Sequence, residues 1–271
     1  MNTKLNSRLR QSYEADGFAL VTDSPFSPEL VQRASEGMDM IRCGEYDTGS
    51  PPPKSPWNPG DDPNALCKIE LPQAANLAIR EILSHPALGE LAAEITGANM
   101  VQVWWTQLLF KPPTPVEPTN TVIGWHQDRN YWQHWEEGSE LFTAWIALSD
   151  VSAESGPMQL VRGSHRWGLL HASDFYGQDN ESIRESIDVP EGESWDPAQA
   201  ILPAGGVSFH DNYTIHGSEV NTSDSPRRSL AVHMRTENST PCSQYAGEGL
   251  SQFLDDQDLN PVIYGERKKF L

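Results

Sequence analysis

From Met100 onward the chain is a succession of short apolar runs, with no helical pattern of comparable length between them. Residues 101–110 are rich in β-branched and aromatic side chains, and runs at 122–125, 142–148, 158–161, 207–209 and 230–234 follow. Glycine and proline punctuate the gaps. Runs of this length and composition are strands, and strands without crossover helices pair antiparallel. A chain of this pattern does not build an alternating α/β fold. It builds a sandwich or barrel, here mainly β with flanking α-helices.

The flanking elements come first in the chain. Residues 8–22 begin helix-compatible and end in Gly17-Phe18-Ala19-Leu20-Val21, a short strand. Ser27-Pro28-Glu29 has the N-cap, first-turn proline and early acid of a helix start, and that helix runs to about Cys43. Residues 72–97 carry helical signals, with Leu88, Leu91, Ala92 and Ile95 on one face and Gly97 at the C-cap. Residues 44–64 hold six prolines and form a long loop, either a binding segment or lid or a solvated linker. Residues 172–200 are a polar, acidic insertion over one end of the barrel. The expected organisation is one domain over residues 1–271: a helical part at about 1–99, a β core at about 100–236 and a C-terminal extension at about 237–271.

Charge narrows the partners. The 38 acidic and 19 basic residues sum to −19, which argues against nucleic acid, whose binding needs clustered Lys and Arg. Anionic membrane surfaces are disfavoured on the same ground. Nine Trp, eight Phe and seven Tyr argue against disorder. No apolar stretch approaches a membrane span, and Met1–Gln11 shows no signal peptide. The three widely spaced cysteines fit neither a disulfide framework nor a CxxC metal site, so a reducing cytoplasmic compartment is expected.

The sharpest motif is Trp125-His126-Gln127-Asp128. In a strand, His126 and Asp128 share a face and can chelate one metal. His216, in Thr214-Ile215-His216-Gly217-Ser218, is the candidate third ligand. Two histidines and one carboxylate on one face of a metal are the ligand set of non-haem Fe(II) oxygenases. Downstream, Pro226-Arg227-Arg228-Ser229 puts Arg227 and Ser229 on one face of the next strand, where the guanidinium fork suits a carboxylate, or else a surface ion pair.

Several segments resemble the phytanoyl-CoA dioxygenase family of Fe(II)/2-oxoglutarate-dependent oxygenases, in that family's order. They are Cys67-Lys68-Ile69, QLLFKP at 107–112, WHQD at 125–128, TAWIAL at 143–148, GPMQLVRGSH at 156–165 and HGSEVNTSDSPRRS at 216–229. The resemblance implies a double-stranded β-helix (jelly-roll, cupin-like) core. It implies that His126, Asp128 and His216 ligate Fe(II), that Arg227 pairs with the distal carboxylate of 2-oxoglutarate, and that Ser218 contacts this co-substrate. Lys68, Gln107 and Trp145 sit where the family has further co-substrate contacts, and Lys111 matches a recurrent family lysine. The implied reaction uses O2, hydroxylates a C–H bond of a small molecule, and releases succinate and CO2. Asp128 favours hydroxylation over halogenation, because related halogenases carry a small residue in its place.

Other residues keep two readings. His210 is a competing ligand or a neighbour of one, and His233 lines the pocket or packs. The aromatic-rich stretch at 129–135 shapes a substrate pocket or its rim, and Trp105, sharing parity with Gln107, is the better pocket candidate of the Trp104-Trp105 pair. His165 is expected to be structural. The alternative to the oxygenase is a cupin-like metal-dependent isomerase or binding protein that does not use 2-oxoglutarate. The net charge of −19 mildly favours a neutral or cationic substrate. Oligomeric state is not readable from the sequence.

Overall fold

The computed structural model describes residues 3–114, 120–171, 173–243 and 253–267, so part of the C-terminal extension lies outside the described residues. The helices are α1 (Thr3–Asp16), α2 (Pro28–Arg42), α3 (Leu77–Leu83), α4 (Pro86–Thr96) and α5 (Asn180–Glu185). The strands of the first half are β1 (Phe18–Val21), β2 (Cys67–Glu70), β3 (Val101–Lys111), β4 (Ile123–His126) and β5 (Leu141–Ala147). Those of the second half are β6 (Gln159–Val161), β7 (Pro197–Gln199), β8 (Val207–Asp211), β9 (His216–Ser218), β10 (Arg227–Thr236) and β11 (Val262–Tyr264).

Seven strands form one antiparallel sheet in the order β1-β8-β5-β10-β3-β11, with β2 also on β3; four form a second, β4-β9-β6-β7. This is the jelly-roll core. Strand alternation divides the large sheet into two unlike faces. Leu230, Val232 and Met234 of β10, with Leu108, Phe110, Ala144, Ile146, Val207 and Phe209, share one apolar cluster with α2 and α4. Helix α2 begins at Ser27, whose hydroxyl accepts the Leu30 N–H, and buries Leu30, Val31, Ala34, Met38 and Ile41. Each such side chain contributes about 1.5–3 kcal/mol when fully buried. Arg228 also points to this face and pairs with Asp39 of α2 at 2.8 Å. The opposite face carries Gln107, Lys111, Thr143, His210, Arg227, Ser229 and His233, all buried except the partly exposed Gln107. That polar face looks into the cavity between the sheets.

The sheet crosses the segment divisions expected from the sequence. Strands β1 and β2, from the helical N-terminal part, and β11, from the C-terminal extension, all join it. Strands β2, β7 and β9 are three or four residues long and lack the apolar run that marks a strand in the sequence, and β11 is a run of only three residues. No helix among the described residues is long and apolar enough to cross a membrane.

Candidate active site

Strands β4 and β9 are neighbours in the small sheet, and their register sets His126 opposite His216. Their ring centroids lie 4.1 Å apart. Gly217 permits this approach, since a Cβ there would come within 2.9 Å of the Ile123 carbonyl oxygen. Strand β4 stops at His126, and Asp128 opens a 3-10 turn spanning Asp128–Tyr131. The carboxylate therefore reaches the imidazoles because the chain turns, and not by the strand alternation that the HxD spacing suggested. Asp128 Oδ1 lies 3.8 Å from Nε2 of both His126 and His216. One ligand atom from each of the three falls within 4.8 Å of the others.

The tautomers follow from the backbone. Nδ1 of His126 is 2.7 Å from the Gly124 carbonyl, and Nδ1 of His216 is 2.9 Å from that of Thr214. A carbonyl only accepts, so each Nδ1 carries the proton and each Nε2 keeps its lone pair. Burial lowers the pKa of both, keeping them neutral. Burial raises the Asp128 carboxyl, but His216, His210 and His233 outweigh it and hold it well below the ordinary range. Two neutral imidazole nitrogens and one carboxylate suit Fe(II).

A second layer orients Asp128. The Thr143 hydroxyl donates to Asp128 Oδ2 at 2.8 Å and, its proton spent, accepts from His233 Nδ1 at 2.8 Å. His210 Nε2 is 3.5 Å from the same Oδ2, on the oxygen that the other two histidines do not share. His210 is thus a neighbour of Asp128, outside the three-residue cluster.

The inner end of the cavity is cationic. Register places Arg227 of β10 directly opposite Lys111 of β3. They are 1% and 0% exposed. Arg227 donates to the Gly156 carbonyl and lies 5.4 Å from the Trp145 ring centroid. Lys111 Nζ donates to Ser218 Oγ at 2.7 Å and to the carbonyls of Ser218 and Glu219. These partners are hydroxyl and carbonyl oxygens, so among the described residues no carboxylate meets the pair at hydrogen-bond distance, although the Glu219 charge acts on Lys111 from farther off. Burial, with Arg227 adding to it, lowers the Lys111 ammonium well below its ordinary value; burial takes Arg227 down to about 10. Like charges facing each other across strands destabilise a sheet, so this arrangement fits a site filled by an anion.

One cavity joins this end to the metal cluster, and it is lined by Gln107, Trp145, Ser218 and Arg227 together with His126, Asp128 and His216. Lys68 is not among its lining residues. Its ammonium lies 3.2 Å from Glu70 Oε1 and 4.6 Å from the Phe175 ring centroid, in an outer cavity that also reaches His126 and Asp128. Trp105, Tyr131 and Trp132 line that outer cavity too, as do Lys54 from the proline-rich loop and Phe175 and Tyr176 from the acidic insertion. The insertion is pinned along β4: Gly124 N–H donates to the Phe175 carbonyl at 3.1 Å and Asp174 N–H to that of Trp125 at 3.2 Å. Trp135 instead packs with Trp104 and Trp132 in a separate buried cluster.

Sequence reasoning did not reach Thr143, Glu70, Phe175 or Tyr176, and left Lys111 without a role. Thr143 alternates with Trp145, and Phe175-Tyr176 is the one adjacent aromatic pair of the insertion, so both carried a weak signal.

The family model of phytanoyl-CoA dioxygenase (PhyH) matches residues 13–229. The chain belongs to this family. It is 25% identical over 248 residues to the probable alpha-ketoglutarate-dependent hypophosphite dioxygenase of Stutzerimonas stutzeri, covering 87% of this chain and 82% of that one. It is 28% identical over 258 residues to the ectoine dioxygenase of Bordetella parapertussis, covering 87% and 77%. The fold is similar to that of the epimerase SnoN in complex with Fe3+, alpha ketoglutarate and nogalamycin RO, with a TM-score of 0.69, 21% identity and coverage of 94% and 91%. As a PhyH-family member, the chain is a 2-oxoglutarate-dependent dioxygenase that uses Fe(II), 2-oxoglutarate and O2 on a small molecule.

Proposed function

We propose that the protein hydroxylates a C–H bond of its small-molecule substrate, with His126, Asp128 and His216 holding Fe(II). Arg227, with Lys111 and Ser218 beside it, grips the distal carboxylate of 2-oxoglutarate, while Gln107 and Trp145 form the walls of the same space. The observation that carries this reading is the buried Arg227, which lines one continuous cavity with the metal cluster and stands opposite the buried Lys111, with no carboxylate at hydrogen-bond distance among the described residues. An isomerase or binding protein that used the metal cluster alone would leave this cationic pair buried with only neutral oxygens at hydrogen-bond distance among the described residues, an unfavourable arrangement.

Iron held by His126, Asp128 and His216 would supply the O2 chemistry that couples decarboxylation of 2-oxoglutarate to succinate with oxidation of the substrate. The protein's own residues supply the rest. The Gly124 and Thr214 carbonyls hold each imidazole with its Nε2 free. Thr143 holds Asp128 Oδ2, leaving Oδ1 for the metal. Phe175 packs against His126 at 5.1 Å between ring centroids and lines both the inner and the outer cavity beside the metal ligands.

Residues 1–271 are read as one domain, supported by the shared large sheet. The cytoplasm is the assigned compartment, supported by three free cysteines.

Adding 2-oxoglutarate to the anaerobic Fe(II) protein tests the reading and is expected to give a metal-to-ligand charge-transfer band. Asp128→Ala is expected to abolish the band and to lower succinate formation by more than the about 100-fold that losing an outer-sphere partner costs at most. Wild-type succinate formation by that variant would remove Asp128 from the site.

A further inference from the structure

The whole-chain charge of −19 does not extend into the outer cavity. Apart from the metal ligand Asp128, the charged side chains lining it are Lys54, Lys68 and Glu70, two cations and one anion. Glu70 is also committed elsewhere. Its carboxylate accepts the Trp105 indole N–H and holds the Lys68 ammonium at 3.2 Å. An ammonium has three N–H donors, and Glu70 accounts for one of those of Lys68. Asp174, next to the aromatic pair, is turned onto the Tyr176 amide at 2.9 Å. Fe(II) held by a single carboxylate ligand would keep net positive charge, and 2-oxoglutarate would be met by the cations of the inner end.

Aromatic walls often mark recognition of a cationic ligand through the ring faces. Here the protein's own ammonium groups hold that position. Lys68 Nζ lies 4.6 Å from the Phe175 centroid and 5.6 Å from that of Tyr176, and Lys54 Nζ lies 6.0 Å from that of Trp105. A substrate ammonium would meet two like charges; a substrate oxyanion would meet donors already aimed into the space.

We propose that the substrate carries a carboxylate or an equivalent oxyacid group, held at the cavity mouth by Lys68 with Lys54. The rest of the molecule then extends along Phe175 and Tyr131 toward the metal. This rests on the oxygenase reading above and replaces the expectation, drawn from total charge, of a neutral or cationic substrate. It also assigns Lys68 to the substrate, and not to 2-oxoglutarate.

The test uses the anaerobic Fe(II) protein saturated with 2-oxoglutarate, so that the inner site is filled. Phenylacetate is compared with phenylacetamide, and hexanoate with hexanamide, by calorimetry and by perturbation of the charge-transfer band. In at least one pair the acid is expected to bind about tenfold or more tightly than its amide, the discrimination a charged hydrogen-bonding site exerts. Lys68→Met is expected to abolish that preference and leave 2-oxoglutarate affinity unchanged, and Lys54→Met to reduce it. Equal binding of acid and amide in both pairs overturns the proposal. So does a Lys68→Met protein that loses affinity for 2-oxoglutarate and keeps its preference for the acid. Failure of the wild type to form the band overturns the oxygenase reading and this proposal with it, and is seen before any acid is added.

Discussion

At the inner end of the cavity the functional groups stand on paired strands: Arg227 on β10, Lys111 on β3, Trp145 on β5 and Ser218 on β9. All four are buried. At the outer end, Lys54 and the Phe175-Tyr176 pair come from loops and Tyr131 comes from the 3-10 turn, beside Lys68, Glu70, Trp105, Gln107, His126 and His233 from strands. Lys54, Tyr131 and Tyr176 are exposed. Strand pairing holds groups rigidly against one ligand, whereas loops alter their side chains without disturbing the sheet. The proposed roles match this division: a co-substrate of constant shape at the inner end, and the substrate at the outer end.

Removing the inner guanidinium gives the largest expected effect. Arg227→Ala is expected to raise KM for 2-oxoglutarate by about 100-fold or more, as truncating one side of a buried charge contact does. Steady-state succinate assays measure it. An equal rise in KM for the substrate would break the division between the two ends.

Lys111→Met sharpens the division. It removes one of two facing buried cations, so 2-oxoglutarate is expected to bind about tenfold more weakly. The ligand-free protein is expected to gain about 1 kcal/mol, or about 2–4 °C in Tm by calorimetry. A variant that loses both stability and affinity would show that Lys111 holds β9 in place and does not serve the anion.

The same lysine sets a pH dependence. Its folded pKa lies well below the ordinary value because burial, and then Arg227, oppose the charged form. Between those two values the unfolded chain binds more protons than the fold. Stability of the ligand-free protein is therefore full above the unfolded pKa and is lost as pH falls through the folded one. Anion binding has the opposite sign: 2-oxoglutarate affinity falls as pH rises through the depressed value, because only the ammonium attracts it. Titrations of affinity and Tm against pH are expected to show both slopes in the wild type and neither in Lys111→Met.

The smallest effect belongs to the outer wall. Phe175→Ala is expected to raise the substrate KM by up to about tenfold, the range of one aromatic contact. The KM for 2-oxoglutarate is expected to stay the same. A change confined to 2-oxoglutarate would move Phe175 to the inner end.

The long strands were legible in the sequence because each is buried on both faces and so reads as a run rich in β-branched and aromatic residues. β3, β5 and β10 show this, each within two residues of the run that marked it at one end or both, apart from β10, which starts three residues earlier. Strand β9 was not legible. Three residues carrying a histidine, a glycine and a serine have no apolar period, and only pairing with β4 and β6 makes them a strand. Asp128 was singled out by a period-two argument, yet it lies past the end of its strand. Lys111 looked like any strand-terminal lysine until the register set it against Arg227.

The sequence by itself determined the strand-rich fold class, the inward and outward parity of β3, β5 and β10, and the supply of metal-ligand side chains. Those follow from local chemistry and the two-residue repeat of a strand. Only the tertiary structure decided which charges meet. A net charge of −19 is a sum over the whole chain, and it did not foretell an outer cavity lined by Lys54 and Lys68 or an inner one lined by Arg227 with Lys111 behind it. Electrostatic energy depends on distance and burial, and both are set by strand register and loop placement, not by composition.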